Sequence, residues 1–523
     1  MTKKLVPFTL DINPEFQKAL SLMEGTHKNI FVTGRAGTGK STLLQHFRMN
    51  TQKKLVVLAP TGVAALNVQG QTIHSFFGFK PSVTLQDLPK KIPEKLSKLL
   101  EHLDAIVIDE ISMVRADLLD CIDRYLQKIL KIREPFGGVQ MIFIGDLYQL
   151  PPVVGSHEKE IFKEVYETPY FFSSEVFGRT TFEMIELEKM YRQSDEKFIS
   201  ILNAIRNNTP TLGHLKDLNT RYVTVVEDYQ SKNFAITLTS TNAQADSIND
   251  HHLKQIPGKM ISFEASVIGD FHLKDAPTAE LLALKPKAQV MFLNNDASGR
   301  WVNGTLGVVK EIHHAGSGEI DEVIVVTEKG ETVEVTPHTW EIFEYHYNQS
   351  QRSLESNTLG SFTQFPLRLS WAVTIHKSQG KTFDKVIIDI GRGTFAHGQM
   401  YVALSRCRTL EGLTLCQEIQ KRHIIMDWKV VKFLTQFQYK KSTDELSFED
   451  KISVIEDAIR NERTLNITYL KASDVKSKRQ IQPVSVGEME YLGKKYIGVE
   501  AFCLNRNEDR VFRVDRILEM ELI

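Results

Sequence analysis

The sequence contains few cysteines and no closely spaced pair of them. Cys121, Cys407, Cys416 and Cys503 are scattered over 523 residues without a CxxC motif. Zinc ribbons and iron–sulfur clusters need neighbouring thiolates, and a disulfide framework needs paired cysteines. The spacing therefore argues against all three, and isolated thiols suit a reducing cytosol.

Long apolar runs are also missing. No stretch approaches the roughly 18 apolar residues that a membrane span needs. The opening residues, MTKKLVPFTLDINPEF, lack the apolar core of a signal peptide. We therefore expect a soluble, cytoplasmic protein with no membrane partner, associated with the nucleoid if the source is bacterial.

The chain has almost no net charge. Its 64 Lys and Arg residues balance 65 Asp and Glu residues, so the overall charge does not indicate a nucleic-acid partner. Any such partner must bind in a local groove. A chain of 523 residues is too long for one core, and we expect roughly three or four domains.

What the chain does contain is a phosphate-loop motif, FVTGRAGTGKST, at residues 31–42. An apolar run before it predicts a buried strand, and a helix is expected after it. Backbone N–H groups would surround a phosphate chain, Lys40 would neutralise its β and γ oxygens, and Ser41 would bind Mg²⁺. A glycine-rich turn is the alternative. The loop residues expected to contact ATP are Gly34, Ala36, Gly37, Thr38, Gly39, Lys40, Ser41 and Thr42.

A second apolar strand, AIVIDE at residues 105–110, ends in two carboxylates. Hydrolysis of a γ-phosphate needs a metal on one side and a base on the other. We therefore expect Asp109 to hold Mg²⁺ and Glu110 to polarise the attacking water. An acidic strand end without a catalytic role is the alternative, but this pair accompanies a phosphate loop.

A further buried strand lies in VQMIFIGDLYQLPP, residues 139–152, and polar residues follow its carboxyl end. Ligands bind at that edge of open α/β sheets. Gln149 is therefore placed to sense the γ-phosphate, and a turn residue ahead of two prolines is the alternative.

Three residues outside these motifs are further candidates for the nucleotide site. Gln17 lies on a helix predicted for residues 14–24, where its amide could pair with adenine or remain solvated. A second α/β unit begins near residue 234 and has no phosphate loop, so it should lend residues to the first site. Arg192 and Arg406 could neutralise charge on the γ-phosphate in the transition state, or form surface ion pairs.

Residues 59–77 collect the side chains that hold a nucleic-acid strand. Thr61, Gly62, Thr72, His74 and Phe76 supply hydroxyls, a flexible backbone, an imidazole and an aromatic ring. A capped helix with a core phenylalanine is the alternative. The lysine-rich stretch that follows, about residues 80–103, predicts a basic excursion from the sheet or a merely solvated segment.

The rest of the chain predicts a β-rich insert and a separate tail. The alternating segments of residues 303–365 suggest a small closed barrel. The polar stretch KKSTDELS at residues 440–447 is interpreted as a linker. From Phe448 onward, an amphipathic helix and short strands predict a ligand-binding or interaction module.

Taken in order, the motifs resemble those of the petite-integration-frequency (PIF) family of RecD-like, superfamily-one DNA helicases. The resemblance spans about residues 13–415 and rests on the segments GRAGTGKS, APTGVAALNVQGQTIHSFF, VIDEISM, PFGGVQMIFIGDLYQLPPV, MYRQ, WAVTIHKSQGKTF and GQMYVALSRCR.

This resemblance implies an α/β protein with two tandem RecA-like cores that hold ATP and Mg²⁺ between them. The first core would span residues 1–180, with a strand-separating wedge at about 80–100. The second would span residues 181–302 and 366–440, and residues 303–365 would form an inserted Src-homology-like barrel. The implied activity is ATP-dependent, 5′-to-3′ translocation on single-stranded DNA, with unwinding of tailed or structured duplexes by a protein that is monomeric in the apo state.

The family's site residues carry over to matching positions. Gln17 would read adenine, and Lys40, Ser41, Asp109 and Glu110 would keep the roles given above. The resemblance implies γ-phosphate contacts for Gln149, Arg192 and Arg406, a nucleotide contact for Gly380, and DNA contacts for Thr61, Gly62, His74, Thr374, His376 and Lys377.

Residues 448–523 resemble the WYL module, which is associated with nucleotide or nucleic-acid ligands. The triplet that names the module is here Lys495-Tyr496-Ile497, so its tryptophan is absent. Arg479, Arg513 and Arg516 remain candidate anion contacts.

Two other functions fit the same motifs. The chain could be a DNA-stimulated ATPase that remodels protein–DNA complexes without processive unwinding. It could also be a ligand-sensing regulator in which the tail binds the signal and the ATPase is its output.

Overall fold

The computed structural model describes most of the chain and divides it into two compact units. The first unit runs to Leu202 and continues from Leu212 to Ile425, and the second comprises Asn203–Thr211 and Met426–Ile523. The opening segment considered for a signal peptide lies largely outside the described residues. The structure describes residues 12–80, 83–154, 162, 164–193, 195–224, 234–273, 276–296, 298–313, 321–348, 350–351, 353–391, 393–471, 475–491 and 493–523.

The first core is built around a parallel sheet. Its elements in chain order are α1 Pro14–Gly25, β1 Asn29–Gly34, α2 Lys40–Asn50, β2 Leu55–Ala59, α3 Gly62–Asn67, β3 Gln71–Thr72, α4 Ile73–Phe77, α5 Glu94–Leu100, β4 Ala105–Ile108, α6 Ala116–Leu130, β5 Gln140–Ile144, α7 Glu175–Gly178 and β6 Phe182–Leu187.

The order of this sheet, β3-β2-β4-β5-β1-β6, puts the motif-bearing strands side by side. β1 pairs in parallel with β5 and β6, so that Phe31 lies between Phe143 and Met184. The strands are apolar at almost every position because helices cover both faces of a parallel sheet. Their carboxyl ends therefore bring the phosphate loop and Asp109 to one edge, as the sequence predicted.

The second core has a smaller parallel sheet. Its elements are α8 Glu196–Arg206, α9 Leu212–Asn219, β7 Ile236–Thr239 and α10 Asn242–Gln255, followed after the β-rich region by β18 Ala372–Thr374, β19 Val386–Asp389, α11 Gln399–Leu404 and β20 Leu413–Leu415. The order of the sheet is β18-β7-β19-β20.

The β-rich region is longer than the predicted insert at both ends. Its strands are β8 Ile261–Glu264, β9 Ser266–Gly269, β10 Leu281–Leu284, β11 Gln289–Phe292, β12 Leu306–His313, β13 Glu322–Thr327, β14 Thr332–Val335, β15 His338–Asn348, β16 Ser353–Gln364 and β17 Leu367–Leu369.

These strands form antiparallel sheets of orders β14-β13-β12-β11-β17, β15-β16-β9 and β10-β8. β11 pairs with both β12 and β17, so residues before 303 and after 365 belong to the same sheet. The predicted bounds of 303–365 were therefore too narrow. Among the described residues, the hydrogen-bonded order does not close into a ring.

The second unit has its own antiparallel sheet and its own core. Its elements are α12 Trp428–Glu445, α13 Phe448–Arg460, β21 Leu465–Leu470, β22 Lys476–Tyr491, β23 Lys494–Cys503, β24 Glu508–Arg513 and β25 Ile517–Leu522. The sheet order is β24-β23-β22-β21-β25, and the apolar face of α13 packs on it.

The predicted linker at residues 440–447 was wrong for most of its length, because α12 continues to Glu445. Ser442 is buried, and its hydroxyl donates to the carbonyl oxygen of Leu518. This polar contact anchors a stretch that has no apolar periodicity. Across the described residues, no helix combines the length and apolar character that crossing a bilayer requires.

Candidate functional site

The phosphate loop lies between β1 and α2 and depends on glycines. Gly37 and Gly39 have φ angles of +86° and +90°, a conformation that L side chains rarely adopt. A Cβ atom on Gly37 would also lie 2.5 Å from the Cβ of Arg192. Lys40 folds back over the loop, and its Nζ donates to the carbonyl oxygens of Gly34 at 2.7 Å and Arg35 at 3.0 Å.

Three carboxylates lie around this lysine. Asp109 and Glu110 follow β4, and Asp146 follows β5. Burial raises the pKa of Asp109 to about 6, although the Lys40 charge opposes the shift. Burial, followed by the charge of Asp109, raises the pKa of Glu110 to about 7. A carboxylate poised near neutrality is suited to accept a proton during turnover.

Arg192 and Arg406 converge on the same place. Arg406 is 1% exposed, and its guanidinium donates to the carbonyl oxygens of Val402 at 2.9 Å and Lys381 at 3.2 Å. Arg192 donates to the carbonyl oxygen of Gly380 at 3.3 Å. Burial lowers the pKa of Arg406 to about 9, so it stays cationic at neutral pH. Among the described residues, neither guanidinium is within 4.0 Å of a carboxylate oxygen, which leaves both charges available to an anion.

A cavity of about 1130 Å³ lies between these groups. This volume is sufficient for a nucleoside triphosphate. The aromatic rings of Phe16 and Tyr191 form part of its wall. The predicted nucleotide residues that line it are Ala36, Gly37, Gly39, Lys40, Ser41, Thr42, Glu110, Gln149, Gly380, Arg192 and Arg406.

Four predicted nucleotide residues do not line this cavity. Gln17 lies on the exposed face of α1, next to Phe16. Thr38 is buried within the loop, where its hydroxyl donates to the carbonyl oxygen of Arg35 at 2.9 Å. Gly34 and Asp109 are buried. In this arrangement, Gln17 does not face the cavity.

The donors present fit ATP with a hard divalent cation. Lys40, Arg192 and Arg406 supply positive charge, and the start of α2 supplies backbone N–H groups. The hydroxyl of Ser41 and the carboxylate of Asp109 are oxygen ligands of the kind that Mg²⁺ prefers.

Sequence reasoning missed three side chains that contact the site from other segments. The hydroxyl of Tyr401 accepts a hydrogen bond from the N–H of Ala36 at 3.0 Å. Gln193 donates to the carbonyl oxygens of Ser405 and Cys407. Gln379 donates to the carboxylate of Glu110 at 3.1 Å. Each belongs to a motif quoted above. For Gln193 and Gln379 the available signal was a polar side chain directly beside predicted Arg192 or Gly380, whereas Tyr401 had no such neighbour.

The predicted DNA residues of the first core occupy the starts of two short helices. The hydroxyls of Thr61 and Thr72 cap α3 and α4 by accepting from the N–H groups of Ala64 and Ser75. Phe76 is 7% exposed, and the rings of Phe77 and Tyr345 pack edge-on against it. Phe76 therefore packs in the core in this structure, and its contact with DNA stays a prediction.

The predicted DNA residues of the second core lie on one turn. Thr374 is buried at the end of β18, and its hydroxyl accepts from the N–H of Lys377 at 3.3 Å. Lys377 is exposed, and His376 is half-buried with its ring nearly parallel to that of Phe395. Burial lowers the pKa of His376, so its imidazole is neutral at physiological pH.

Comparison with known protein families gives two matches. The PIF1-like helicase family matches residues 14–212, which include the phosphate loop, both carboxylates of β4 and Arg192. The WYL domain family matches residues 450–522, within the second unit.

A bacterial relative decides the assignment of the first unit. ATP-dependent DNA helicase Pif1 of Bdellovibrio bacteriovorus is 33% identical over 438 residues, which are 82% of this chain and 93% of the relative. This chain belongs to the PIF1-like helicase family. ATP-dependent DNA helicase PIF1 of Mus musculus is 35% identical over 427 residues, 79% of this PIF1-like helicase and 61% of the mouse protein. The chain thus spans less than two thirds of that relative.

Solved structures of a PIF1 helicase share the fold. Bacteroides sp Pif1 in complex with ADP-AlF4 gives a TM-score of 0.76 at 38% identity and covers 82% of this PIF1-like helicase and 97% of that chain. Bacteroides Pif1 bound to ssDNA gives 0.60 at 39% identity with the same coverage. The expected α/β fold with a parallel-sheet core and the expected class, an ATP-dependent DNA helicase, are both confirmed.

Proposed function

We propose that this PIF1-like helicase hydrolyses ATP in the cavity beside the phosphate loop and uses the cycle to move 5′-to-3′ along single-stranded DNA. The observation that supports this most directly is the pair of guanidinium groups of buried Arg406 and half-buried Arg192. Both line the same cavity as Lys40, and neither has a carboxylate partner among the described residues. An anion with several negative charges would neutralise all three cations.

Each side chain has a role in hydrolysis. Lys40, Arg192 and Arg406 neutralise the charge that builds up on the γ-phosphate oxygens. Glu110 orients the attacking water and takes its proton, and Gln149 contacts the γ-phosphate. Phosphorus gains the bond to the water oxygen and loses its bond to ADP. Mg²⁺, held by Ser41 and by Asp109, would supply charge neutralisation at the β and γ oxygens.

Single-stranded DNA is the proposed track. A relative of known structure, Bacteroides Pif1, is described as bound to ssDNA. Here Thr61, Gly62, Thr72 and His74 of the first core and Thr374, His376 and Lys377 of the second would hold the strand. Phosphate contacts of this kind need only a local groove, in keeping with the neutral net charge.

Further parts of the chain have proposed roles in unwinding and binding. The excursion at residues 80–100 would act as the wedge that splits tailed or forked duplexes. Residues 303–365, with the neighbouring strands, would be the counterpart of an inserted Src-homology-like barrel.

The WYL domain would bind a nucleotide or nucleic acid, with Arg479, Arg513 and Arg516 as its anion contacts. We propose a monomer in the apo state.

Strand separation on two matched duplexes tests the proposed function. One duplex carries a 5′ single-stranded tail and the other a 3′ tail, and both are incubated with ATP and Mg²⁺. We expect only the 5′-tailed duplex to open. A Lys40→Ala variant, which loses the phosphate-binding cation, should open neither.

Opening of the 3′-tailed duplex would overturn the polarity. If neither duplex opens while single-stranded DNA still stimulates ATP hydrolysis, the chain remodels protein–DNA complexes without unwinding. If DNA does not stimulate hydrolysis at all, the proposed function fails.

A further inference from the structure

The segment Thr374–Lys381, read TIHKSQGK, is a turn stiffened by its own hydrogen bonds. The N–H of Ser378 donates to the carbonyl oxygen of Thr374 at 3.0 Å, and the N–H of Gln379 donates to that of His376 at 3.2 Å. The hydroxyl of Ser378 donates to the carbonyl oxygen of Ile375 at 2.7 Å. These bonds leave little freedom within the turn, so it should move as one body.

The two ends of this turn face different ligands. Its first half carries the residues proposed to hold DNA, Thr374, His376 and Lys377. Its second half reaches the arginines of the nucleotide site. Arg192 donates to the carbonyl oxygen of Gly380 at 3.3 Å, and Arg406 donates to that of Lys381 at 3.2 Å. One short stiff segment therefore touches both proposed sites.

Gln379 extends from this turn to the carboxylates of the first core. Its Nε2 donates to Oε2 of Glu110 at 3.1 Å and to Oε1 of Gln149 at 3.3 Å. The orientation of each amide follows from chemistry, because Gln149 uses its own Nε2 to donate to the carboxylate of Asp146 at 3.3 Å. Gln149 must then present its oxygen to Gln379, whose two N–H donors are both engaged.

We propose that Gln379 is a positioning residue that couples DNA binding on the turn Thr374–Lys381 to the hydrolytic carboxylate Glu110. The inference rests on the proposed function, since it takes Glu110 as the group that orients water and the turn as a DNA contact. Gln379 itself needs to touch neither ATP nor DNA.

The coupling follows from the geometry. A neutral amide constrains a carboxylate without adding charge to a site that already holds three acidic and three basic groups. When a DNA strand shifts the turn, Gln379 moves with it and re-aims Glu110 and Gln149 together. A displacement of about 1 Å in a reacting group can change a rate by roughly 100-fold.

Steady-state ATP hydrolysis with and without single-stranded oligodeoxythymidine tests this proposal. Gln379→Met keeps the length of the side chain and removes both donors. We expect kcat in saturating DNA to fall by about 10- to 100-fold. The KM for ATP and the Kd for DNA should change by less than about 2-fold, because ground-state binding is unaffected.

A double-mutant cycle with Gln149→Ala separates coupling from independent damage. If the two amides act as a unit, the fall in kcat of the double variant should be clearly smaller than the product of the two single falls. Gln379→Glu should be at least as slow as Gln379→Met, because it places a carboxylate against Glu110. Gln244→Ala is the matched control. It removes an amide that donates to Asp389 within the second core at 2.7 Å, and DNA stimulation should survive.

Three results would overturn the inference. They are full DNA stimulation in Gln379→Met, a loss explained by a weaker Kd or a higher KM, and additive effects in the cycle. Where Gln379→Met unfolds, as judged by circular dichroism, the same criteria apply to Gln379→Ala. Absence of DNA-stimulated hydrolysis in the unmodified protein would instead count against the proposed function.

Discussion

Glu110 occupies a backbone conformation that few residues other than glycine adopt. Its φ and ψ angles are 51° and 41°, in the left-handed region. Such strain costs about 1–3 kcal/mol and is found mainly where function requires it. Burial beside Asp109 adds a second cost, because it disfavours the ionised form that the proposed hydrolysis uses. The protein is therefore stabilised less by this residue than by a neutral one of the same shape.

Glu110→Gln should make the protein more stable and much less active. The pKa of Glu110 rises from an ordinary 4.5 to about 7 in the folded state, so the folded state binds the proton more tightly. Protonation of Glu110 therefore stabilises the folded state fully below pH 4.5, and this stabilisation is lost as the pH rises through 7. We expect the variant to gain about 1–3 kcal/mol of unfolding free energy at pH 8 and to lose at least about 100-fold in kcat.

Urea unfolding at pH 5 and pH 8, without nucleotide or divalent metal, measures this gain. The difference between the two proteins should be larger at pH 8 than at pH 5. Glu101→Gln, at an exposed position, is the control and should show no such dependence. An equal difference at both pH values would show that Glu110 does not titrate in this range.

Turnover should also depend on the ionisation of Glu110, but in the opposite direction: kcat should rise with pH over the range in which stability falls. As the proposed base, Glu110 can accept a proton only when it is ionised, so kcat should fall as the pH drops below about 7.

Sequence motifs predicted the site residues that lie on a single strand and the loop after it. They did not predict contacts between residues that are far apart in the sequence. Lys40 and Asp109 follow directly from a strand and the loop after it. Tyr401 contacts Ala36 across 365 positions of sequence, and Gln379 contacts Glu110 across 269. No periodicity or spacing encodes such a contact, because it depends on how the two cores pack. The contact between Phe76 and Tyr345 of a distant strand could not be predicted for the same reason.

Helices and strands were likewise predictable where their signals are local in the sequence. The sequence predicted α1 to within one residue and the start of α13, because a clear cap or an apolar stripe marks each. It missed β8 to β11 and the end of α12. Those strands are defined by pairing partners far along the chain. Near the end of α12, the buried position is occupied by Ser442, whose hydroxyl is hydrogen-bonded, whereas an apolar stripe would have marked a helix.

The basic excursion has an exposed part and a buried part. Residues 84–92 are mostly exposed, whereas Leu96, Leu99 and Leu100 of α5 are buried. α5 also meets β15, where Lys95 pairs with Glu344 at 3.3 Å. The ring of His102, just after α5, stacks on that of Tyr347 with centroids 3.7 Å apart. A wedge should therefore be tested without disturbing α5.

Replacing residues 84–92 with a short Gly-Ser linker should uncouple unwinding from hydrolysis. The exposed segment contributes little to the core, so the rate of DNA-stimulated ATP hydrolysis should stay within about 2-fold. Strand separation should fall by about 10-fold or more, because the element proposed to split the duplex is gone.

A control deletion of residues 84–98 removes Leu96 as well and should lower stability by about 2–4 kcal/mol. Unwinding and hydrolysis are measured on the same forked substrate. Normal unwinding by the linker variant would assign strand separation to another element.

Each of the two compact units has an apolar core of its own. In the first unit, Phe16 and Met23 pack on β1 and α2. In the second unit, Ile455 and Ile467 pack between α13 and the antiparallel sheet. Proteins with separate cores commonly unfold in more than one step. Calorimetry of the whole chain should therefore resolve two transitions.

Lys451 allows the two transitions to be assigned. It is 2% exposed, and its ammonium donates to the hydroxyl of Ser442 at 2.7 Å and to the carbonyl oxygen of Ile517 at 2.9 Å. Lys451→Ala removes both bonds and opens a gap, at a cost of about 2–4 kcal/mol. It should lower one melting temperature by roughly 10 °C. Saturating ADP, which we propose binds beside Lys40, should stabilise the other unit by mass action, by about 2.7 kcal/mol at 100 times Kd, and so raise its melting temperature.

The two perturbations must act on different transitions for this assignment to hold. Ile459→Val, a mild change at the edge of the same second-unit core, is a matched control and should shift the Lys451-sensitive transition by no more than about a third as much. A single transition that responds to both ADP and Lys451→Ala would mean that the units unfold together. The ATP site and the WYL domain would then share one stability, and a ligand on either would stabilise the other.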